Sequence, residues 1–161
     1  MVEEPAADEK AARLALLNQA FADGIPHNHA LGLRIVDFAE GSMTMLLPYA
    51  AHLVGNPETG VMHGGAITAT LDACAGGAVY MRLGDPTGIA TLDLRIDYLR
   101  PATPGRDVVC RAECYRTTKN VGFVRALAYH ERPDDPIAAA AGAFMIFPKS
   151  GRSLREGEAA P

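Results

Sequence analysis

The residues best placed to do chemistry in this chain lie within one apolar run. From Gly64 to Leu83 the sequence is small or apolar nearly throughout (Ala66, Ile67, Ala69, Leu71, Ala73, Ala75, Ala78, Val79, Met81), yet Asp72 stands in its middle. Burying an unpaired carboxylate costs several kcal/mol, so such an Asp is paired, protonated or placed at a cavity. The same run opens with His63-Gly64-Gly65. Read as a helix, it presents unsatisfied N–H donors in its first turn, at the positive end of the helix dipole, where glycines let a ligand oxygen approach the backbone. Donors placed in this way stabilise the oxyanion of a tetrahedral intermediate, and losing one typically removes a few kcal/mol of transition-state stabilisation.

Gly64 and Asp72 are too far apart to act on one substrate from a single helix. Their eight-residue separation is about 12 Å along the axis at the rise of an α-helix. If both serve one site, two antiparallel copies of the helix must meet, so that Gly64 of one chain faces Asp72 of the other. That condition implies a symmetric dimer.

The surrounding pattern supplies the elements that would position this helix. Ala11, Leu14, Ala15, Leu17 and Phe21 recur at helical spacing over 8–22, with Gly24 and Pro26 expected to stop that helix. Leu31–Phe38 and Ser42–Leu47 read as two strands joined by a Gly41-containing turn, and a polar loop over 50–60 carries His52, Asn56 and Pro57. The Gly64–Leu83 helix is expected to be buried on all sides, and Gly76-Gly77 within it costs on the order of 1 kcal/mol per glycine unless a close backbone approach offsets it. Beyond Gly84-Asp85-Pro86, Leu92, Leu94, Ile96 and Tyr98 alternate with Asp93, Arg95 and Asp97, the mark of a half-buried strand. Three further strands are expected over Asp107–Arg116, Val121–His130 and Ile137–Phe147, with links short enough for consecutive antiparallel pairing in a four-stranded meander packed on the helix. The expectation is an α+β fold in one domain over 1–161, with its core at about 31–147 and a polar tail at 149–161.

Composition narrows the function classes. Of the 161 residues, 48% are hydrophobic and 21% charged, with a formal net charge of −4 and no basic cluster, which argues against a nucleic-acid partner. The apolar stretches are interrupted by Asp72 and Arg82 or are too short to cross about 30 Å of hydrocarbon, so no membrane association is expected. Met1–Lys10 has no basic start followed by an apolar run, and a cytoplasmic location is expected. Cys74, Cys110 and Cys114 sit in apolar patterns without Cys-x-x-Cys spacing, as small core hydrophobes do. His27-x-His29 has no partner at ligand spacing for a metal, and no Gly-x-Ser-x-Gly elbow is present.

Three stretches together resemble a known family. Asn56-Pro-Glu-Thr-Gly-Val-Met-His63-Gly64-Gly65, then Leu71-Asp72, then Thr91-Leu-Asp-Leu-Arg-Ile-Asp-Tyr-Leu-Arg-Pro-Ala102 are similar to the hotdog-fold acyl-CoA thioesterases of the phenylacetate-degradation type. The resemblance runs from about Leu31 to Phe147. It implies a long central helix wrapped by a curved antiparallel sheet, dimers joined edge to edge through their sheets, and dimers of dimers. Carried over by position, Asp72 would be the catalytic carboxylate, as general base on water or as nucleophile, and Gly64 the oxyanion-binding amide beside Gly65. His63 would position that loop or assist polarisation, Asn56 would orient the thioester or water, and Thr91 would help hold the nucleophilic water. Arg100, Lys119 and Arg125 are candidates for the phosphates of coenzyme A, which is part of the substrate, so that no separate cofactor is implied.

The residue types suit that reaction. A thioester carbonyl is electrophilic and its thiolate leaves readily, so a carboxylate base and an oxyanion hole suffice without a Ser-His-Asp triad. A hotdog-fold hydratase or dehydratase would want His63 and an acid across the interface, and the helical position of Asp72 fits hydrolysis better. A non-catalytic acyl-CoA-binding module would have had an apolar residue to place at position 72 at less cost. The acyl group, aryl or short to medium chain, is left open by the sequence.

Overall fold

The computed structural model describes residues 7–84 and 88–147; the tail at 149–161 and the Asp85-Pro86 turn lie outside the described residues. The N-terminal periodicity forms α1 (Ala7–Leu17), extended by a π-helical turn over Asn18–Asp23. Asn18 accounts for the change of pitch. Its side-chain amide donates to the Leu14 carbonyl and to the Ile35 carbonyl, while Ile35 N–H donates back to Asn18 Oδ1. The opening helix stops at Gly24, as expected, and Pro26 then starts a second helix, α2 (Pro26–Leu31), because a fixed φ and a missing N–H suit the first helical position. His27 and His29 are therefore helical, and the first strand starts after Gly32, whose φ of 69° ends α2.

The strands are β1 (Arg34–Ala39), β2 (Ser42–Leu47), β3 (Val54–Asn56) and β4 (Val61–Met62), then α3 (Gly64–Leu83), then β5 (Ile89–Tyr98), β6 (Val108–Thr117), β7 (Val121–Tyr129) and β8 (Ala138–Ile146). The expected polar loop over 50–60 thus contains a short hairpin, β3–β4, whose tip is closed by the Asn56–Gly60 turn. The six long strands form one antiparallel sheet in the order β1-β2-β6-β7-β8-β5. This corrects the consecutive meander: β5 pairs with β8 alone, and β6 pairs with β2 and β7. The link over 99–107 carries the chain across three strand spacings of about 4.8 Å each, well within the reach of an extended segment of that length. A strand direction that reverses across a short link does not require the two strands to be neighbours.

The sheet curves around α3. Met43, Met45 and Leu47 of β2, Val108 and Cys110 of β6, and Val124 of β7 are essentially inaccessible and face Ile67, Leu71, Cys74 and Val79 of α3 in one core. Ala112, Ala126, Ala128, Ala138 and Ala140 keep much of the concave face shallow, so the helix lies close. Register shifts bulge the strands at Val36, Leu92 and Tyr115, which are 45%, 54% and 47% exposed. Bulges bend a strand and strengthen its twist, as wrapping a helix demands.

Burial all round α3, expected from its apolar composition, is not observed. One face, carrying Gly65, Thr68, Asp72, Ala73, Gly76 and Tyr80, is exposed or half-buried in the single chain. Small residues on that face keep the helix apolar without filling the space beside it.

Candidate active site

The N-terminus of α3 is held on three sides. His63 N–H donates to Leu53 O at 2.7 Å, which ties the helix start to the turn that leads into β3. Gly55 of β3 passes so close that an added Cβ would lie 2.8 Å from His63 Cα. His63 is the N-cap: its Nδ1 accepts the Gly65 N–H at 2.9 Å. That bond places the proton of the neutral ring on Nε2 and occupies the Gly65 amide, so Gly64, at the first helical position, offers the N–H that needs an outside acceptor. Tyr98 of β5 completes the clamp. Its hydroxyl donates to the Gly64 carbonyl, and Thr68 Oγ1 donates to Tyr98 Oη at 2.9 Å. Sequence alone assigns Tyr98 no role in the site, although it lies inside the Tyr-Leu-Arg-Pro-Ala motif.

Asp72 sits two turns further along, half-buried. Thr91 Oγ1 donates to Asp72 Oδ1 at 2.7 Å, so the carboxylate has one oxygen held, and the other has no hydrogen-bond partner among the described residues. The register decides this contact. Thr91 lies opposite Phe144 and Asp93 opposite Ala143, which leaves Leu92 as the bulged residue. Strict alternation puts Leu92, Leu94, Ile96 and Tyr98 on one face; the bulge instead gives Thr91 the helix side together with Leu94, Ile96 and Tyr98. One strand therefore binds α3 at both of its chemically interesting points, Gly64 through Tyr98 and Asp72 through Thr91.

Beside Asp72 opens a cleft of about 570 Å³. Thr91 and Ala69 flank the carboxylate, and beyond them the lining is mostly apolar, with Gly76, Tyr80 and Phe144 on one side and Phe21 and Ile25 of the N-terminal segment on the other, joined there by the polar His27 and Asn28. From sequence the N-terminal segment reads only as an opening helix. Its contact with the site joins residues some fifty positions apart, which no local pattern records.

The remaining candidates are spread out. Asn56 accepts the Glu58 N–H through Oδ1 at 3.0 Å, and its carbonyl accepts the Gly60 N–H, so it shapes the β3–β4 turn. Arg100 is committed to Asp135, with Nε and Nη2 on the two carboxylate oxygens at 3.1 and 3.0 Å. Lys119 lies exposed in the β6–β7 turn, next to Asn120, whose carbonyl accepts the Ile146 N–H. Arg100 is at the Ile137 end of β8 and Lys119 at the Ile146 end, about 27 Å apart along a strand. Arg125 stacks on Tyr115, its guanidinium 4.6 Å from the ring centre. The thiols offer no nucleophile: burial pushes Cys74 up to about 12, and Cys110 is raised for the same reason.

The chain is similar to known proteins over most of its length. The model of the thioesterase superfamily matches residues 59–137, the stretch from the end of the β3–β4 turn through α3 to the start of β8. A Pseudomonas aeruginosa protein of known crystal structure is 45% identical, covering 82% of this chain and 98% of its own, with a TM-score of 0.74. The medium/long-chain acyl-CoA thioesterase YigI of Salmonella typhimurium is 27% identical over 146 residues, 83% of this chain and 93% of YigI. The E. coli PaaI protein from the phenylacetic acid degradation operon, 20% identical over 89% of this chain and 97% of its own, has the same fold at a TM-score of 0.72. With a long helix wrapped by a curved antiparallel sheet and a helix start built from His63-Gly64-Gly65, the chain belongs to the thioesterase superfamily and is a hotdog-fold thioester hydrolase.

Proposed function

We propose that this chain hydrolyses acyl-CoA thioesters, with Asp72 as general base and the Gly64 N–H as oxyanion donor, at a site shared between two copies. The observation that carries the reading is Asp72 itself: a half-buried carboxylate on an apolar helix, held through one oxygen by Thr91 and lining a mostly apolar cleft. YigI, the acyl-CoA thioesterase related to this chain, supports acyl-CoA as the substrate class.

In this mechanism the free Asp72 oxygen takes a proton from water as the water oxygen adds to the thioester carbonyl carbon. The carbonyl oxygen becomes an oxyanion that accepts the Gly64 N–H, a donor fixed before reaction by the His63 cap and by Tyr98. Collapse re-forms the carbonyl, breaks the carbon–sulfur bond and releases the free acid. The proton held by Asp72 then passes to the coenzyme A thiolate, restoring the carboxylate.

Because α3 is continuous, Gly64 and Asp72 are about 12 Å apart along it, and the site calls for α3 of a second copy running antiparallel. The part of the open face of α3 that carries Gly65, Thr68 and Asp72, and the outer edge of β5, which pairs with no strand among the described residues, offer such a homodimer its contact surfaces, with pairing of dimers as a further step. Of the two proposed coenzyme A phosphate contacts, Lys119 is the exposed one, and Arg100 could serve only by leaving Asp135.

The test is thiol release from aryl-, short-, medium- and long-chain acyl-CoA by wild type and by Asp72→Asn. The substitution keeps the size and the bond from Thr91 while removing the base, and we expect kcat to fall about 100-fold or more. Equal turnover by both proteins would remove Asp72 from the mechanism.

A further inference from the structure

The two adjacent glycines of α3 have different reasons to lack a side chain. A Cβ on Gly77 would lie 2.2 Å from Met43 Sδ, so the buried Met43 side chain would have to shift to admit it. A Cβ on Gly76 would meet only the Phe144 ring, at 3.5 Å, an ordinary contact. Alanine is favoured over glycine inside a helix, and nothing in the packing excludes it at position 76. What Gly76 does leave is room: it lines the cleft one turn beyond Asp72, and the next turn brings Tyr80.

The opposite wall is built with care. Phe21 reaches the cleft from the π-helical turn and Ile25 from the cap of α2, and π-helical turns, rare overall, are frequent at functional sites. Two asparagines fix this segment: Asn18 bonds both backbone groups of Ile35, and the buried Asn28 donates to the Phe21 carbonyl at 2.8 Å. Phe21 and Tyr80 meet edge to face, ring centres 5.1 Å apart, at the end of the cleft far from Asp72. Both Phe21 and Ile25 precede the stretch matched by the family model, which begins at residue 59.

We propose that this cleft is the acyl pocket, that Gly76 keeps it open, and that the Phe21–Tyr80 pair sets the longest straight chain it accepts. The inference rests on the thioesterase reading above and names its substrate class. From Asp72 to Tyr80 the helix rises about 12 Å. An alkyl zigzag of 1.5 Å bonds advances about 1.25 Å per carbon, so the cleft takes roughly eight to ten carbons, a medium-chain acyl group.

The experiment compares kcat/KM across straight-chain acyl-CoA from four to sixteen carbons for wild type, Gly76→Ala, Gly76→Leu and Phe21→Ala, with calorimetric affinity for the same series. We expect the wild-type profile to peak near eight to ten carbons. The ten-to-four-carbon ratio should fall about threefold in Gly76→Ala and tenfold or more in Gly76→Leu, while Phe21→Ala moves the peak to longer chains. Gly76→Ala guards against a Gly76→Leu protein that does not fold. Variant profiles parallel to that of wild type would overturn the pocket assignment. If wild type releases no thiol, affinity decides: a chain-length dependence that shifts in these directions upholds the pocket and sinks the hydrolase mechanism, and a flat one overturns both.

Discussion

Thr91 is an ordinary strand residue by type, and its place in the site comes from one hydrogen bond to Asp72. In the proposed mechanism that bond orients the carboxylate without touching the thioester, so its loss should act on turnover more than on binding. Thr91→Val keeps the shape and deletes the donor. We expect kcat to fall about tenfold, the worth of one such hydrogen bond, with KM changed less than threefold in steady-state assays. A change confined to KM would make Thr91 a substrate contact instead. Asp72 and His63-Gly64-Gly65 were legible in the sequence because their chemistry is written in residue type and in spacing along one helix. Thr91 on the helix side was not derivable from alternation, because the bulge at Leu92 breaks the two-residue period there.

Among the elements, α3 carries the most information. Its glycine pair permits an internal comparison of packing against room. Gly77→Ala forces a methyl group onto Met43, and overpacking of this kind costs about 1–3 kcal/mol. Gly76→Ala meets no obstacle and gains helix propensity, so it should stabilise by up to about 1 kcal/mol. Urea denaturation of the two variants, read as midpoint shifts of opposite sign, checks this; destabilisation of both would show that position 76 is packed as tightly as position 77, and stabilisation of both that Met43 yields to the added methyl. The helix was visible in the sequence from its length, its composition and the absence of proline. Which of its faces stays open was not, since small apolar residues suit a close contact and a cavity wall equally. α2 illustrates another gap: Pro26 can end one helix or begin another, and the packing of the residues after it decides between the two.

For the whole molecule the decisive prediction is that the site is shared. Asp72→Asn lacks the proposed base, and Gly64→Pro lacks the proposed donor N–H while keeping a residue accepted at the first helical position. Each homodimer should be close to inactive, the second by about 100- to 1000-fold in kcat. A mixed dimer holds one site with intact Gly64 from one chain and intact Asp72 from its partner. Unfolding, mixing and refolding the two variants should therefore restore activity toward one quarter of wild type, the yield of half the dimers with one good site each. No recovery would place both residues of each site on the same chain.

The sequence by itself determined the long helix, the carboxylate and glycine start it carries, most strand segments, and through its motifs the family. All of these depend on residues near one another along the chain, where helical and strand periods and capping chemistry act. Only the tertiary structure decided that β5 lies beside β8 and not β6, that Tyr98 and Thr91 bind the two ends of the site, and that Phe21 and Ile25 wall the cleft. Those arrangements are set by which surfaces bury each other best across separations of tens of residues, an energy that belongs to the packed molecule and leaves no period in the chain.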